Sequence, residues 1–217
     1  MKMIHGQISS VSKENPTIAG CTISNTVYER DGVRMTHFSM GKGTDISAES
    51  YPHDTLFFVE SGEVEIFDLN GFSAILKERE VLITPKEIPF GVRAVTDSVY
   101  TEISQRKEIQ MNQLVKKKEV FKVAELVPYQ EGKIVNMDVL SNEHMKYVIM
   151  AFDDGCALSE HAAPGEAIVT ALDGEAEITY EGEKFLLHAG ENFVFEKGGL
   201  HKVRANGRFK MSLLLML

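Results

Sequence analysis

The sequence predicts an all-β protein made of two tandem β-barrels with a few short helices. Three observations support this fold class. The chain repeats itself, its apolar segments have the length and composition of strands, and no long stretch shows the 3.6-residue period of a helix. Together they indicate that one β-domain is present twice.

The repeat is visible when residues 48–66 are placed over residues 160–178. The two segments read AESYPHDTLFFVESGEVEI and EHAAPGEAIVTALDGEAEI. Gly62 begins the run GEVEI in the first segment, and Gly174 begins GEAEI at the same position in the second. Because the order of residue types is kept at a period near half the chain length, we interpret the chain as two copies of one domain.

A second block extends the repeat toward the end of each copy. Residues 80–94 (EVLITPKEIPFGVRA) lie over residues 191–205 (ENFVFEKGGLHKVRA), at an offset one residue shorter than in the first block. The sequence becomes polar and basic at residues 105–117, which is typical of a junction between domains. We therefore predict an N-terminal domain over residues 1–112 and a C-terminal domain over residues 113–217.

Each copy contains short segments rich in β-branched or aromatic residues. Gly, Asp and Asn turn signals separate them at a spacing of roughly 8–12 residues, which indicates a sandwich or a barrel that closes its own sheet edges. The predicted strands include Arg34–Met40, Val64–Phe67, Val81–Thr84, Lys146–Phe152, Ala176–Tyr180 and Phe193–Phe195. Short helices are predicted only around Val120–Val127 and near Ile109–Lys118.

Composition narrows the classes of partner. The chain has a formal net charge of −9, and an acidic surface repels the phosphate backbone, so we expect no nucleic-acid partner. The longest apolar run, residues 213–217, is too short to span a bilayer, so we expect no membrane partner. Cys21 and Cys156 lie far apart without metal-site spacing, which predicts reduced thiols and a cytoplasmic protein.

The second copy carries a recognisable pattern of glycine and histidine. The residues that form it are Gly155, His161, Ala163, Ala167, Gly174, Gly190, Glu196, Gly198 and His201. Their order resembles the two blocks of the cupin superfamily, G-x5-H-x-H-x3/4-E-x6-G and G-x5-P-x-G-x2-H-x3-N. The chain is similar to small single-domain cupins of the cupin-2 type, duplicated into a bicupin. The resemblance implies two tandem cupin (jelly-roll) β-barrels.

The resemblance also implies where a metal would bind. In cupins, two His and a Glu of the first block and the His of the second hold a divalent ion inside the barrel. His161 and His201 keep the first and last of these positions, whereas Ala163 and Ala167 replace the other two. Glu166, one residue before Ala167, is the candidate third ligand. Two imidazoles and one carboxylate would suit a divalent transition metal such as Fe, Mn, Ni or Zn.

Three interpretations of this site stay open: a bound metal, a polar ligand without metal, or a histidine pair kept only by its hydrogen bonds. If the Glu position of the motif faces inward, alternation places Val169 inward as well. Phe193 and Phe195 flank the second block, and one of them is expected to line the same cavity. We therefore predict His161, His201, Phe195 and Val169 as ligand-binding residues, and His161, His201 and Glu166 as metal ligands.

The first copy lacks the metal-binding residue types. Glu49, Tyr51, Thr55 and Phe90 occupy the four motif positions. His53 is expected in a loop or at the mouth of the barrel. We therefore expect no metal site there. Because the inward side chains of this copy are larger than their counterparts, we also expect the first barrel to be filled and the second to keep a cavity.

These observations predict a bicupin that binds a small molecule in its C-terminal barrel, with a divalent metal there as one alternative. A metal-dependent enzyme such as a dioxygenase or isomerase is a second hypothesis, and a non-catalytic structural or dimerisation protein is a third, because one fold hosts many functions. The pattern assigns no catalytic residue. We expect the two barrels to form an intramolecular pseudo-dimer, and a homo-oligomer stays open.

Overall fold

The computed structural model describes residues 4–217, which form strands over most of their length. The strands are β1 (Ile8–Ser9), β2 (Thr22–Arg30), β3 (Val33–Met40), β4 (Asp45–Glu49), β5 (Thr55–Ser61), β6 (Glu63–Asp68), β7 (Ser73–Lys77), β8 (Glu80–Thr84), β9 (Phe90–Ala94), β10 (Ser98–Gln105), β11 (Gln110–Met111), β12 (Phe121–Lys122), β13 (Ile134–Ser141), β14 (Met145–Phe152), β15 (Ala157–Ala162), β16 (Glu166–Asp173), β17 (Glu175–Tyr180), β18 (Glu183–His188), β19 (Asn192–Phe195), β20 (Leu200–Ala205) and β21 (Phe209–Met216). The predicted all-β fold class is confirmed.

The helices are short, and their positions differ in part from the prediction. Helix α1 (Val11–Glu14) was not predicted, because four residues are too few to show a helical period. A 3₁₀ helix, Val123–Glu125, lies inside the predicted segment Val120–Val127. The helix predicted near Ile109–Lys118 is wrong, since β11 in this segment pairs with β13. Among the described residues, no helix has the length and hydropathy that crossing a bilayer requires.

The described chain divides into two compact units. The N-terminal unit contains Val11–Ile109 and Gln113–Lys122, and the C-terminal unit contains residues 4–10, Gln110–Asn112 and Val123–Leu217. This division differs from a single boundary after residue 112. The reason is strand pairing: β1 pairs with β19 and β11 with β13 in the C-terminal unit, whereas β12 pairs with β8 in the N-terminal unit.

The N-terminal unit consists of a six-stranded sheet, in the order β12-β8-β5-β10-β3-β2, and a four-stranded sheet, in the order β4-β9-β6-β7. Side chains alternate between the two faces of each strand, so each sheet directs every second residue inward. The core between the sheets includes Met40, Phe57, Val59, Tyr100, Val64, Ile66, Leu76 and Val92. The large sheet supplies the first four of these residues and the small sheet the others.

The C-terminal unit repeats this arrangement. Its seven-stranded sheet has the order β1-β19-β16-β21-β14-β13-β11, and its four-stranded sheet has the order β15-β20-β17-β18. The core between them includes Phe152, Ala167, Val169, Phe193, Phe195, Phe209, Ala176, Ile178, Leu187 and Val203. The two inner faces therefore pack as one apolar layer in this unit too.

The corresponding positions of the two copies occupy the same strand pairs. Glu49 of β4 lies opposite Phe90 of β9, and His161 of β15 lies opposite His201 of β20. On the other side, Phe90 pairs with Asp68 as His201 pairs with Tyr180. The sequence repeat thus corresponds to a repeat of register. This register decides which side chains lie beside the predicted site.

Candidate functional site

His161 and His201 lie beside each other on neighbouring antiparallel strands of the C-terminal unit. Their Cα atoms are direct partners in the pairing of β15 with β20. The centroids of the two imidazole rings are 4.2 Å apart, and the ring planes make an angle of 53°. His161 is exposed, whereas His201 retains 7% exposure. The pair therefore combines one ring that solvent reaches and one that the fold encloses.

Local hydrogen bonds orient both rings in the same way. The Nδ1 atom of His161 lies 2.8 Å from the Ser159 carbonyl oxygen, and that of His201 lies 3.1 Å from the Gly199 carbonyl oxygen. Because a carbonyl oxygen only accepts, Nδ1 carries the hydrogen in each ring. The Nε2 atom of each neutral ring then keeps its lone pair, so the site presents two nitrogen donors for a metal ion or two acceptors for a polar ligand.

Electrostatics favour the neutral form of the enclosed ring. Burial lowers the pKa of His201 below its usual value, the hydrogen bond to the Gly199 carbonyl opposes this shift, and His161 lowers the pKa slightly further. His201 is therefore mainly neutral at neutral pH. A neutral imidazole is the form that coordinates metal ions.

Phe195 forms the apolar side of the site. Its ring stacks on His201 with centroids 4.0 Å apart and an interplanar angle of 21°, and it is 1% exposed. Tyr180, which the sequence analysis did not single out, contacts Phe195 with ring centroids 5.6 Å apart. The signal was present, because strand alternation from Ala176 through Ile178 directs Tyr180 to the same side of β17.

Val169 and Glu166 point to opposite faces of β16. Val169 belongs to the apolar core with Ala167 and is 1% exposed. Glu166 occupies an alternate position, and its Oε1 atom lies 2.8 Å from Nε2 of His5. The structure thus does not bring Glu166 to the histidine pair. The physical reason is the two-residue period of a strand: β16 already begins at Glu166, so this side chain and that of Ala167 point to opposite faces.

Two imidazoles supply only part of a metal-binding set. Metal sites with a catalytic role usually have three protein ligands, and within residues 4–217 no three His, Cys, Asp or Glu side chains converge closely enough to hold an ion. The two rings do show the orientation of metal-binding histidines, whose other nitrogen donates to a carbonyl or carboxylate. An ion at this site would therefore complete its coordination with water or with a ligand.

The expectation that the first copy is filled by its own side chains is wrong. The N-terminal unit contains a cavity of about 110 Å³, lined among others by Thr36, Phe38, Thr55 and Glu102. Phe38 packs against the core of this unit, so these alternate strand positions face inward. Two of the four motif positions, Tyr51 and Thr55, line this cavity, so the larger side chains of the first copy do not fill the space beside them.

Comparison with known proteins agrees with this fold. Residues 148–217 match the family model described as a cupin domain. No curated protein matches the chain. The cupin resemblance is confirmed at this level, whereas the presence of a second cupin domain stays a prediction, because the family match lies in the second copy alone.

Solved structures share the fold over most of the chain. The Cupin 2 conserved barrel domain protein from Leptotrichia buccalis superimposes with a TM-score of 0.89 at 26% identity, covering 99% of this chain and 98% of that one. A putative glyoxylate induced protein from Pseudomonas aeruginosa gives 0.64 at 15% identity, with 90% and 80% covered. Salicylate 1,2-dioxygenase from Pseudaminobacter salicylatoxidans gives 0.63 at 11% identity, with 85% and 70% covered. At such low identity, the last two show the fold alone.

Proposed function

We propose that this protein binds a small molecule in its C-terminal unit, together with a divalent transition-metal ion held by His161 and His201. One observation carries the proposal: both Nδ1 atoms bond to backbone carbonyl oxygens, so both Nε2 lone pairs are available at adjacent strand positions. Imidazole suits Zn, Cu, Fe and Ni. Bound there, an ion would act as a Lewis acid toward an anionic or carbonyl ligand.

The surroundings support a ligand beside the ion. The stacked ring of Phe195 fixes one face of His201 and offers an apolar wall. Tyr180 extends the same wall on the next strand. Since the protein supplies two donors, the remaining coordination positions are open to a small molecule, and ligand and ion are expected to strengthen each other's binding.

No reaction is assigned. The relationship to the dioxygenase is one of fold, and a shared fold does not carry an activity. The hypotheses of an enzyme and of a structural protein therefore have no observation that favours them over binding.

The metal site can be tested by calorimetric titration of the EDTA-treated full-length protein with Zn²⁺ and Ni²⁺. We expect wild type to bind the ions, and His161→Ala and His201→Ala each to weaken binding by roughly tenfold or more, because either change removes one of two protein donors. His188→Ala is the matched control. His188 is an exposed histidine of the same unit that contacts Glu175 and Glu191.

The open coordination positions can be tested with Co²⁺ as a visible probe. We expect azide to change the absorption of the Co²⁺-loaded wild-type protein, since a ligand enters the first coordination sphere. Equal metal binding by wild type and by the protein carrying both His161→Ala and His201→Ala would contradict the proposal. A Co²⁺ spectrum indifferent to azide would remove its small-molecule part.

The state of the cysteines supports a cytoplasmic location, which we also propose. Cys21 is exposed and Cys156 is partly buried, and both are free thiols. Free thiols persist in a reducing compartment.

A further inference from the structure

The cavity of the N-terminal unit has the lining of a binding site for a small polar molecule. Its volume is about 110 Å³. The lining residues are Gly32, Arg34, Thr36, Phe38, Tyr51, His53, Thr55, Glu102, Ser104 and Arg106. Thr36, Thr55 and Ser104 contribute hydroxyl groups from three neighbouring strands, so a bound molecule could receive several hydrogen bonds from a rigid sheet.

His53 lines this cavity, and its imidazole has one hydrogen-bonding atom without a partner among the described residues. This atom, Nδ1, is buried. The ring stacks near Tyr51, with centroids 5.8 Å apart and an interplanar angle of 20°. A buried polar atom without a partner costs free energy, which a ligand atom at hydrogen-bond distance would recover.

The charges at the cavity favour an anion. The Arg34 guanidinium donates to the neutral Thr26 hydroxyl at 3.3 Å, and no carboxylate within residues 4–217 lies in ion-pair contact with it. Among the described carboxylates, Arg106 has an exposed partner in Glu29, with 3.7 Å between its Nη2 atom and Glu29 Oε1. Guanidinium groups recognise carboxylates with two parallel hydrogen bonds. They repel a divalent cation, so this site differs in kind from the histidine pair.

The one carboxyl group that lines the cavity, Glu102, opposes an anion only weakly. Burial raises the pKa of Glu102 to about 7, against the lowering effects of the Tyr100 hydrogen bond and of Arg34. A substantial fraction of Glu102 is therefore protonated at neutral pH, and the protonated group donates a hydrogen bond. Its presence is compatible with a carboxylate ligand that also carries a hydroxyl or keto oxygen.

A second cavity adjoins the first and strengthens the positive field. It has a volume of about 290 Å³, and His53 and Arg106 line both cavities. Its other cationic residues are Lys86, Lys107 and Lys117, and its anionic residues are Asp54 and Glu108. The excess of cationic groups attracts small anions toward these two cavities.

We infer that the N-terminal unit binds a small hydroxy- or oxo-carboxylate without a metal ion, with its carboxylate at Arg34 and its oxygen substituent toward His53 and Glu102. The size agrees, because an apolar cavity of about 150 Å³ holds benzene, so about 110 Å³ suits about four or five non-hydrogen atoms. Two-carbon hydroxy and oxo acids are of this size. This inference does not depend on the function proposed for the C-terminal unit.

The test is calorimetric titration of the full-length protein with sodium glycolate in buffer containing EDTA, with neutral glycolamide as the matched probe. We expect glycolate to bind and glycolamide to bind at least roughly tenfold more weakly, because glycolamide lacks the charge. Arg34→Gln should weaken glycolate binding roughly tenfold, and Arg34→Lys less, since lysine keeps the charge but not the two-pronged geometry. Arg30→Gln, an exposed arginine outside the cavity, is the control and should bind like wild type.

Two further variants make the result decisive. His201→Ala should leave glycolate affinity unchanged, which separates this site from the histidine pair. His53→Gln should weaken glycolate binding. If Arg34→Gln fails to fold, this variant tests whether glycolate binds in the N-terminal cavity. Equal affinity of wild type for glycolate and glycolamide, or glycolate binding unaffected by both Arg34→Gln and His53→Gln, would overturn the inference.

Discussion

At the scale of single residues, Glu60 shows how burial couples this fold to pH. Its Oε1 atom accepts a hydrogen bond of 2.7 Å from the Thr101 hydroxyl. The Thr101 oxygen lies 2.9 Å from Nδ1 of His37, which is the donor because the hydroxyl hydrogen is already engaged. Burial raises the pKa of Glu60 to about 7 and lowers the pKa of His37 to about 4. Both groups are therefore favoured in their neutral forms.

The two pKa shifts change the free energy of unfolding in opposite directions with pH: the raised pKa of Glu60 favours the folded state at low pH, and the lowered pKa of His37 favours it at high pH. The folded protein binds the Glu60 proton more tightly than the unfolded chain, so this contribution is present below pH 4.5 and is lost as pH rises to about 7. We expect Glu60→Gln to gain roughly 1–3 kcal/mol in free energy of unfolding relative to wild type between pH 5 and pH 8. Urea unfolding at the two pH values measures this change, with Glu177→Gln, a change at a partly exposed carboxylate, as the control. An equal difference at both pH values would contradict the assignment.

The site residues could be predicted from the sequence where the spacing of the cupin motif is kept. His161 and His201 occupy motif positions, and strand pairing makes them neighbours. Glu166 was a poorer candidate because β16 already begins at this residue, so its side chain points to the face opposite that of Ala167. The bond of Glu166 to His5 could not be predicted, since the two residues lie far apart in the sequence and no pattern links them.

At the scale of elements, the two copies use the same tight turn. Gly62 connects β5 with β6 and Gly174 connects β16 with β17, with φ angles of 79° and 70°. A Cβ atom at Gly62 would meet the carbonyl oxygen of Asp97, and one at Gly174 would meet that of Arg208. The glycines that made the repeat visible in the sequence are therefore required by both the backbone conformation and the lack of space.

The cost of the left-handed backbone conformation and the cost of the steric clash can be separated by experiment. Gly174→Ala is expected to lower the free energy of unfolding by about 2–4 kcal/mol, because it combines a left-handed backbone with a backbone clash. Gly182→Ala is the matched control in the same unit. Gly182 has a φ angle of 83° but open space around a Cβ atom, so only about 1 kcal/mol is expected. Chemical denaturation gives both values, and equal losses would show that the clash is relieved.

Most strands could be predicted and the shortest could not. The segments with alternating or β-branched residues, such as Lys146–Phe152, all fall within strands. Strands β1, β11 and β12 contain two residues each, too few to show a period. They exist because their backbone groups pair with longer strands elsewhere in the chain. Their assignment therefore depends on tertiary structure, which the local sequence does not contain.

At the scale of the whole molecule, these short strands determine which segments each unit contains. Ile8 pairs with Phe193 and packs against the core of the C-terminal unit, although in sequence it precedes every described residue of the N-terminal unit. Residues 113–122 follow the first copy but belong to it, through the pairing of Phe121 with Val81 and the 2.8 Å ion pair between Lys118 and Asp68. A single boundary cannot describe this organisation.

The contribution of β1 can be measured within the full-length protein. Ile8→Asp places a charge against the apolar core and should weaken the pairing with β19, because burying an unpaired charge is costly. We expect faster amide hydrogen exchange in residues 192–195 and a lower melting temperature. Ile4→Asp is the control, since Ile4 is 47% exposed. Unchanged exchange in residues 192–195 of the Ile8→Asp protein would show that β1 does not stabilise this edge.

The pairing of β1 with β19 limits how the gene could be shortened or recombined without exposing a sheet edge in its product. A crossover that transferred the coding region of the second repeat alone would leave out the codons for β1 and β11, and the recipient product would expose the edges that these strands cover. Because β1 and β11 pair within the C-terminal unit and β12 within the N-terminal unit, each half of the gene encodes strands that the other half requires.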